Sequence, residues 1–257
     1  MMSGGERLML VIPCYNEAAR LDRDAFARAL QDMAWLDLCF VNDGSTDDTA
    51  RVLRELAASS PTRVDVLTLP QNRGKAEAVR QGIQHASERA ALCGFWDADL
   101  SAPLSELPSL RAVFERAPDV EWVFGIRLKA LGRHITRGAL RHYLGRLFAT
   151  VASALLDVGA YDTQCGAKLF RVTPLLRTVI AEPFLSRWIF DVELLSRADS
   201  LLRFAGPGRT LNDVVFEQPL IVWHHQAGSK VKSTDFVRAL REVLLVRGGR
   251  KAWARRV

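Results

Sequence analysis

Residues 90–99 are Ala90-Ala91-Leu92-Cys93-Gly94-Phe95-Trp96-Asp97-Ala98-Asp99, an apolar run that ends in two aspartates. A short apolar run of this kind predicts a buried strand. Residues two apart on an extended segment point to the same side, so both carboxylates can approach one point beyond the strand. Neighbouring carboxylates repel each other, and a divalent cation shared with phosphate oxygens would suit them. A solvated surface turn is the alternative for these three residues taken alone.

The first half of the chain, which contains this run, alternates strands with helices. Strands are predicted at 8–13, 38–41, 64–69 and 90–96, and helices at 18–34, 46–58 and 75–87, the second capped near Ser45 or Thr46. This alternation predicts an α/β fold with parallel strands, right-handed crossovers and helices on both faces. Ligands bind at the carboxyl ends of such strands, where four polar clusters fall: 13–17, 42–45, 72–75 and 97–99. Their convergence favours a ligand site over a simple turn.

The second half is less regular. Helices are predicted at 104–116, 135–156, 188–198 and 234–246. Strands are predicted at 120–125, 214–216 and 220–223, and a loop at 159–166 leads into 167–171. The sequence contains no internal repeat or low-complexity linker, so we expect one domain over residues 1–257.

The composition is that of an ordinary globular protein, with 257 residues, 49% hydrophobic and 25% charged. The four cysteines lie far apart without CxxC spacing, which indicates reduced core residues in a cytosolic protein. The longest apolar run, 147–156, is shorter than the roughly 20 residues needed to cross a bilayer. The start of the sequence lacks the basic region of a signal peptide. We therefore expect a cytoplasmic protein that does not span a membrane.

The net charge of +6 is concentrated in two blocks, 122–156 and 247–257, which contain no acidic residue. Such blocks indicate a polyanion, an anionic membrane surface or a phosphorylated substrate as partner. Arg133, Arg137 and Arg141 are four residues apart, beside an apolar stripe that includes Leu144 and Phe148. This pattern predicts either a helix at a membrane interface or a core helix with a solvated arginine edge.

Two further motifs follow the second and third strands. In Asp43-Gly44-Ser45, the aspartate could accept a hydrogen bond from the imide of uracil, and Gly44 would let the base approach the backbone. A helix-capping turn is the alternative. Asn72-Arg73-Gly74-Lys75 offers a lysine at a helix N-terminus, which favours phosphate, although a plain turn would look the same and the P-loop spacing is absent.

These motifs together resemble family 2 inverting glycosyltransferases with the GT-A fold. The resemblance is carried by 11–17 (VIPCYNE), 41–47 (VNDGSTD), 72–75 (NRGK) and 97–99 (DAD). Three later runs, 162–170 (DTQCGAKLF), 187–195 (RWIFDVELL) and 228–231 (GSKV), resemble the dolichyl-phosphate β-glucosyltransferase branch. They are more loosely similar to dolichyl-phosphate mannose synthases and bacterial polyprenyl-phosphate glycosyltransferases. The resemblance implies a Rossmann-like, mostly parallel sheet, a nucleotide-sugar half at about 8–125, an acceptor half at about 126–246 and a basic tail at 247–257.

The resemblance also implies roles for particular residues. Metal-binding by Asp97 and Asp99 would place Mg²⁺ or Mn²⁺ on the donor diphosphate. The implied nucleotide-sugar site comprises Pro13, Tyr15, Asn16, Glu17, Asp43, Gly44, Ser45, Gly74, Lys75, Asp97 and Ala98. The implied catalytic set is Asp99, Gln164, Lys168 and Asp191, with Gln164 and Lys168 near the sugar or the acceptor phosphate. The acceptor phosphate itself is assigned to Arg127, Arg137, Arg141 and Lys230.

The implied reaction is inverting transfer of a hexose, glucose from UDP-glucose, to a dolichyl- or undecaprenyl-type polyprenyl phosphate. The enzyme would be peripheral, at the cytoplasmic face of an anionic membrane. A phosphate acceptor is already ionised at pH 7, so Asp191 would orient sugar hydroxyls, whereas an alcohol acceptor would need it as a base. The membrane helices of some relatives are not found in this sequence, which leaves stable membrane attachment open.

The sequence leaves open four alternatives to this function. Two keep the chemistry: a soluble alcohol acceptor, or a GDP-mannose-dependent polyprenyl-phosphate mannosyltransferase. A nucleotidyltransferase would also use an α/β sheet with paired aspartates, but would release diphosphate. The fourth is a basic membrane- or nucleic-acid-binding module, and the acidic cluster at the strand ends argues against nucleic acid as the partner.

Overall fold

A seven-stranded mixed sheet forms the centre of the structure, a computed structural model that describes residues 6–136, 159–187, 189–206, 208–224 and 242–249. In spatial order its strands are Val64–Thr68 (β3), Leu36–Asn42 (β2), Leu8–Cys14 (β1), Leu92–Trp96 (β4), Ala167–Arg171 (β7), Trp122–Ile126 (β5) and Val215–Pro219 (β8). β7 is antiparallel to both of its neighbours, and every other pairing in this sheet is parallel. A separate parallel pair joins His134–Ile135 (β6) to Val222–Trp223 (β9).

Helices cover both faces of this sheet. They are Arg23–Asp32 (α1), Thr49–Ser59 (α2), Lys75–Ser87 (α3), Leu107–Arg116 (α4), Pro174–Val179 (α5), Phe190–Phe204 (α6) and Leu211–Val214 (α7), with a 3₁₀ turn at Leu104–Glu106 and a helical segment at 242–249. Alternate residues of β1 enter opposite clusters: Leu8, Leu10 and Ile12 pack on one face, and Met9 and Val11 on the other. This double burial explains why the strand sequence is apolar without alternation.

The predicted α/β fold, with a mostly parallel sheet flanked by helices, is confirmed. The predicted starts of two helices are wrong. α1 begins at Arg23 because the Asp22 carboxylate accepts a hydrogen bond from the Ala25 amide, 2.9 Å away, and so caps the helix there. α2 begins at Thr49, whose backbone amide donates to Asp47 Oδ1 at 3.0 Å. The Ser45 hydroxyl, proposed as a cap, instead accepts a hydrogen bond from the Asn16 backbone amide.

The helix predicted at 135–156 is wrong at its start, since His134–Ile135 is a strand paired with β9. Residues 137–158 lie outside the described part of the chain, as do 225–241, which include most of the predicted final helix. No helix in the described ranges is long and apolar enough to cross a membrane.

The antiparallel strand β7 has a direct consequence for the site. Its first residue, Ala167, pairs with Trp96, the last residue of β4. The segment 159–166 therefore arrives at the carboxyl end of β4, where the aspartate pair begins. An all-parallel sheet would not bring that segment there.

Candidate active site

A pocket of about 280 Å³ lies beyond the carboxyl ends of β1, β2 and β4. Eight residues of its lining were predicted for a nucleotide sugar: Pro13, Tyr15, Glu17, Asp43, Gly74, Lys75, Asp97 and Ala98. The rest of the lining is Cys14, Arg20, Asn72, Ala78 and Asp99. The polar clusters predicted to converge at this edge of the sheet therefore do so.

Asn16 and Ser45 join the loops that border the pocket. The Asn16 amide donates to the Ser45 hydroxyl at 3.0 Å, and the Thr46 amide donates to the Asn16 side-chain oxygen at 2.9 Å. Asn16 adopts φ +51°, a left-handed conformation that asparagine tolerates better than most residues. These contacts fix the loop after β1 against the loop after β2.

Asp43 is buried at the base of the pocket and holds the loop before α3. Its two carboxylate oxygens accept hydrogen bonds from the backbone amides of Arg73 and Gly74, at 2.7 and 2.8 Å. Burial raises the pKa of Asp43, and these hydrogen bonds together with the nearby charge of Arg187 oppose that rise. Gly44 packs so closely on the same loop that any side chain there would overlap the backbone of Gln71.

Lys75, the first residue of α3, forms an ion pair with Asp97. The ammonium nitrogen lies 2.5 Å from Asp97 Oδ1, and the two side chains are 37% and 33% exposed. The ammonium also lies 5.8 Å from the centre of the Phe95 ring. Burial lowers the pKa of Lys75, but the carboxylates of Asp97, Asp191 and Asp99 outweigh it, so the net effect is a raised pKa. The lysine therefore remains cationic at neutral pH.

The two candidate metal ligands have different surroundings. Asp97 donates its backbone N–H to the Gly166 carbonyl at 2.9 Å, and a Cβ atom at position 166 would overlap the Asp97 carboxylate. Asp99 Oδ1 accepts a hydrogen bond from the Ser101 amide at 2.9 Å. Across the described ranges, no group of three or more His, Cys, Asp or Glu side chains could hold a metal ion. Two carboxylates fit Mg²⁺ or Mn²⁺ only if phosphate or water oxygens complete the shell.

Lys168 lies beneath the pocket. Its side chain is fully buried, with the ammonium 2.6 Å from Asp191 Oδ1 and donating to the carbonyls of Thr163 and Cys165 at 3.0 and 2.5 Å. The Lys168 ammonium is therefore buried in this structure rather than exposed in the pocket, and its place near the sugar or the acceptor phosphate stays a prediction. Gln164 is partly exposed, and its buried Nε2 has no hydrogen-bond partner among the described residues.

Asp191 lies in the first turn of α6, where the helix dipole favours a carboxylate. It is 5% exposed. Burial raises its pKa, and the positive charges of Lys168 and Lys75 oppose the rise. Asp191 is thus close enough to Lys75 and Asp97 for their charges to affect its pKa.

Arg127 anchors the segment that precedes β7. Its guanidinium forms a bidentate ion pair with Asp162, with Nε and Nη2 each 2.7 Å from a carboxylate oxygen, and it lies 5.3 Å from the Trp223 ring centre. A carboxylate thus engages two donors of this guanidinium, and the role of Arg127 at the acceptor phosphate stays a prediction. Arg137, Arg141 and Lys230, predicted for the same role, lie outside the described residues.

The structure brings to the site two residues, Gly166 and Arg187, for which no role was predicted from sequence. Gly166 abuts Asp97, as described above. Arg187 is exposed, and its Nε lies 3.3 Å from the position that a Cβ of Gly74 would occupy. Both belong to motifs quoted for the resemblance. Their proximity to Asp97 and Gly74 depends on tertiary pairing, so nothing in the neighbouring sequence indicates it.

The sheet order, with an aspartate pair at its edge, is that of the GT-A fold. A solved structure of glucosyl-3-phosphoglycerate synthase from Mycobacterium tuberculosis, in complex with Mn²⁺ and UDP-glucose, superimposes with a TM-score of 0.67 and 21% identity, covering 96% of this chain and 79% of that one. This likeness shows the fold. The family model of glycosyl transferase family 2 matches residues 9–177. The chain belongs to that family and is a glycosyltransferase, as the motifs predicted.

Two curated relatives carry the same name. The dolichyl-phosphate beta-glucosyltransferase of Dictyostelium discoideum is 31% identical over 207 residues, which cover 76% of this chain and 62% of that protein. The protein of that name from Saccharomyces cerevisiae is 28% identical over 263 residues, covering 93% of this chain and 74% of the relative. The chain thus spans less than two thirds of the length of the first of these relatives.

Proposed function

We propose that this chain transfers glucose from UDP-glucose to a polyprenyl phosphate, with inversion at the anomeric carbon. The observation that carries the proposal is the pocket that Asp97 and Asp99 line together with Gly74 and Lys75 at the N-terminus of α3. Carboxylates for a cation, a lysine and a helix N-terminus are what a nucleotide diphosphate requires. The names of the curated relatives support glucose and a dolichyl-type acceptor.

On the donor side, Tyr15 and Asp43 would border the base, since each carboxylate oxygen of Asp43 retains acceptor capacity beyond its one backbone hydrogen bond. Gly74 and Lys75 would receive the diphosphate. Mg²⁺ or Mn²⁺ held by Asp97 and Asp99 would offset the charge that the leaving diphosphate gathers. The nucleotide-sugar half would then be residues 8–125.

On the acceptor side, a phosphate monoester is ionised at neutral pH and needs no strong base to attack the anomeric carbon. Asp191, buried and paired with Lys168, suits orientation of the sugar hydroxyls better than proton abstraction. Segment 159–166 and the first turn of α6 would form the wall between donor and acceptor. The acceptor half would be residues 126–246.

A polyprenyl acceptor requires contact with a membrane, and we propose a peripheral position at its cytoplasmic face. Leu131 is fully exposed and Ile221 is half exposed, on adjacent loops joined by the hydrogen bond from the His134 amide to the Ile221 carbonyl. Lys129 is exposed on the same loop as Leu131. Apolar side chains beside a cation suit an anionic lipid surface.

The decisive test is a transfer assay that offers the chain one of two donors, UDP-glucose or GDP-mannose. The acceptor is either polyprenyl phosphate in anionic vesicles or 3-phosphoglycerate. Each combination is assayed with Mn²⁺ and with EDTA. We expect Mn²⁺-dependent transfer of glucose to the lipid with release of UDP. Asp97→Asn should abolish transfer. Asp119→Asn, which changes an exposed carboxylate elsewhere in the chain, should not. Release of diphosphate, transfer from GDP-mannose alone or transfer to 3-phosphoglycerate alone would overturn the proposal.

A further inference from the structure

The Lys75 ammonium occupies a side of the Asp97 carboxylate that could otherwise bind a metal ion. Its ammonium lies 2.5 Å from Asp97 Oδ1, and both residues line the pocket with Asp99. Because both side chains are about one third exposed, the pair can separate without opening the hydrophobic core. A partly exposed ion pair of this kind contributes little net stability, so its exchange for a stronger partner is inexpensive.

The protein supplies few other ligands at this point. Among the described residues no third His, Cys, Asp or Glu joins the two aspartates, and one oxygen of Asp99 already accepts the Ser101 amide. Mg²⁺ requires near-octahedral oxygen coordination and usually combines one or two carboxylates with phosphate oxygens. A divalent cation alone would therefore have to displace the Lys75 ammonium while gaining at most two protein carboxylates.

A donor diphosphate would change this balance because it offers both cations new partners. Lys75 is the first residue of α3, and the N-cap residue Gly74 has no side chain of its own to cap the helix N-terminus. An anion placed there would attract the ammonium away from Asp97. Asp97 would then be free for the metal, and the diphosphate oxygens would complete its coordination.

We propose that Lys75 is the counter-cation of Asp97 when no donor is bound, and that it yields this carboxylate to the divalent metal only as the donor diphosphate arrives. Lys75 thereby couples the binding of metal and nucleotide. This inference rests on the proposed function in one respect, the nucleoside diphosphate as the donor's leaving group. It goes further in assigning the order of events and the residue that imposes it.

The experiment measures Mn²⁺ binding to the full chain by electron paramagnetic resonance, without nucleotide and with saturating UDP. For the wild type we expect weak binding of Mn²⁺ alone and much tighter binding with UDP. Lys75→Met keeps the apolar stem but removes the charge, so it should bind Mn²⁺ alone more tightly, on the order of tenfold. The enhancement by UDP should shrink in this variant. Lys75→Arg, which keeps the charge, should behave like the wild type towards Mn²⁺ alone.

Lys129→Met is the matched control, since Lys129 is exposed and outside the pocket, and it should leave Mn²⁺ binding unchanged. Equal or weaker binding of Mn²⁺ alone by a folded Lys75→Met would overturn the inference while leaving the proposed function intact. If Lys75→Met binds Mn²⁺ more tightly but neither UDP nor GDP affects Mn²⁺ affinity in the wild type, the coupling and the nucleotide donor both fail. A Lys75→Arg variant that matched Lys75→Met would likewise overturn the role of charge.

Discussion

The Lys168 ammonium lies 2.6 Å from the Asp191 carboxylate, and both groups are buried between β7 and α6. Because Lys168 also donates to the carbonyls of Thr163 and Cys165, it links the segment before β7 to the first turn of α6. Lys168→Met would leave the Asp191 carboxylate buried without its charge partner. We expect it to destabilise the fold by about 3–5 kcal/mol, measured by urea unfolding.

The double variant Lys168→Met/Asp191→Asn provides the control for this pair, since it removes both charges at once. It should be more stable than Lys168→Met alone, because no unpaired charge is left in the interior. It should still lack transferase activity if Asp191 orients the sugar. If the double variant's loss of stability equals the sum of the losses in Lys168→Met and Asp191→Asn, the two groups do not interact.

Gly166 is predicted to be indispensable for ligand binding and dispensable for folding. A Cβ atom in Gly166→Ala would overlap the Asp97 carboxylate and force it to rotate away from the pocket. We expect Mn²⁺-dependent UDP affinity to fall by about tenfold or more, or about 1.4 kcal/mol, measured by calorimetry. Gly159→Ala is the matched control, because a Cβ there has no atom within 4 Å. Unchanged affinity in a folded Gly166→Ala would show that Asp97 does not hold the donor.

Arg187 is predicted to contribute to donor binding through its charge. Its guanidinium lies over Gly74, and its field opposes the raised pKa of Asp43, so it adds positive potential where the diphosphate is proposed to bind. Arg187→Ala should raise the KM for the nucleotide sugar several-fold, with a smaller effect on kcat, and weaken the dependence of KM on salt. Arg54→Ala, an exposed arginine on α2, should change neither. An unchanged KM with reduced kcat would place Arg187 in another role.

The strand ends of the site could be predicted from sequence because they follow local apolar runs. Asp97 and Asp99 come directly after β4, and parallel pairing of neighbouring strands brings them to the same edge as Asp43. Residues whose role depends on distant pairing could not be placed. Gly166 meets Asp97 only because β7 inserts antiparallel beside β4.

Lys168 illustrates the same limit within a single strand. Its neighbours Ala167 and Leu169 pack on one face of the sheet, while Lys168 points to the other, over the rings of Phe95 and Phe124. The motif led to the prediction that Lys168 lies near the sugar or the acceptor phosphate, but it did not indicate that the side chain is buried. The alternation of a strand buried on both faces places the ammonium in the interior, where Asp191 compensates its charge.

Because its cysteines are buried, we predict that the protein loses stability at alkaline pH. Burial raises the pKa of the Cys39 and Cys93 thiols to about 12, whereas a thiol in the unfolded chain ionises near pH ~8.5. Below that pH both states keep the proton and the stabilisation is complete. Between about pH 9 and 12 only the unfolded chain loses protons, so stability falls with rising pH, by up to about 1.4 kcal/mol per pH unit for each thiol. Urea unfolding of the wild type and Cys93→Ala from pH 7 to 10.5, in reductant, measures this slope. Cys93→Ala should lose stability less steeply above pH 9, and parallel slopes would show that Cys93 ionises equally in both states.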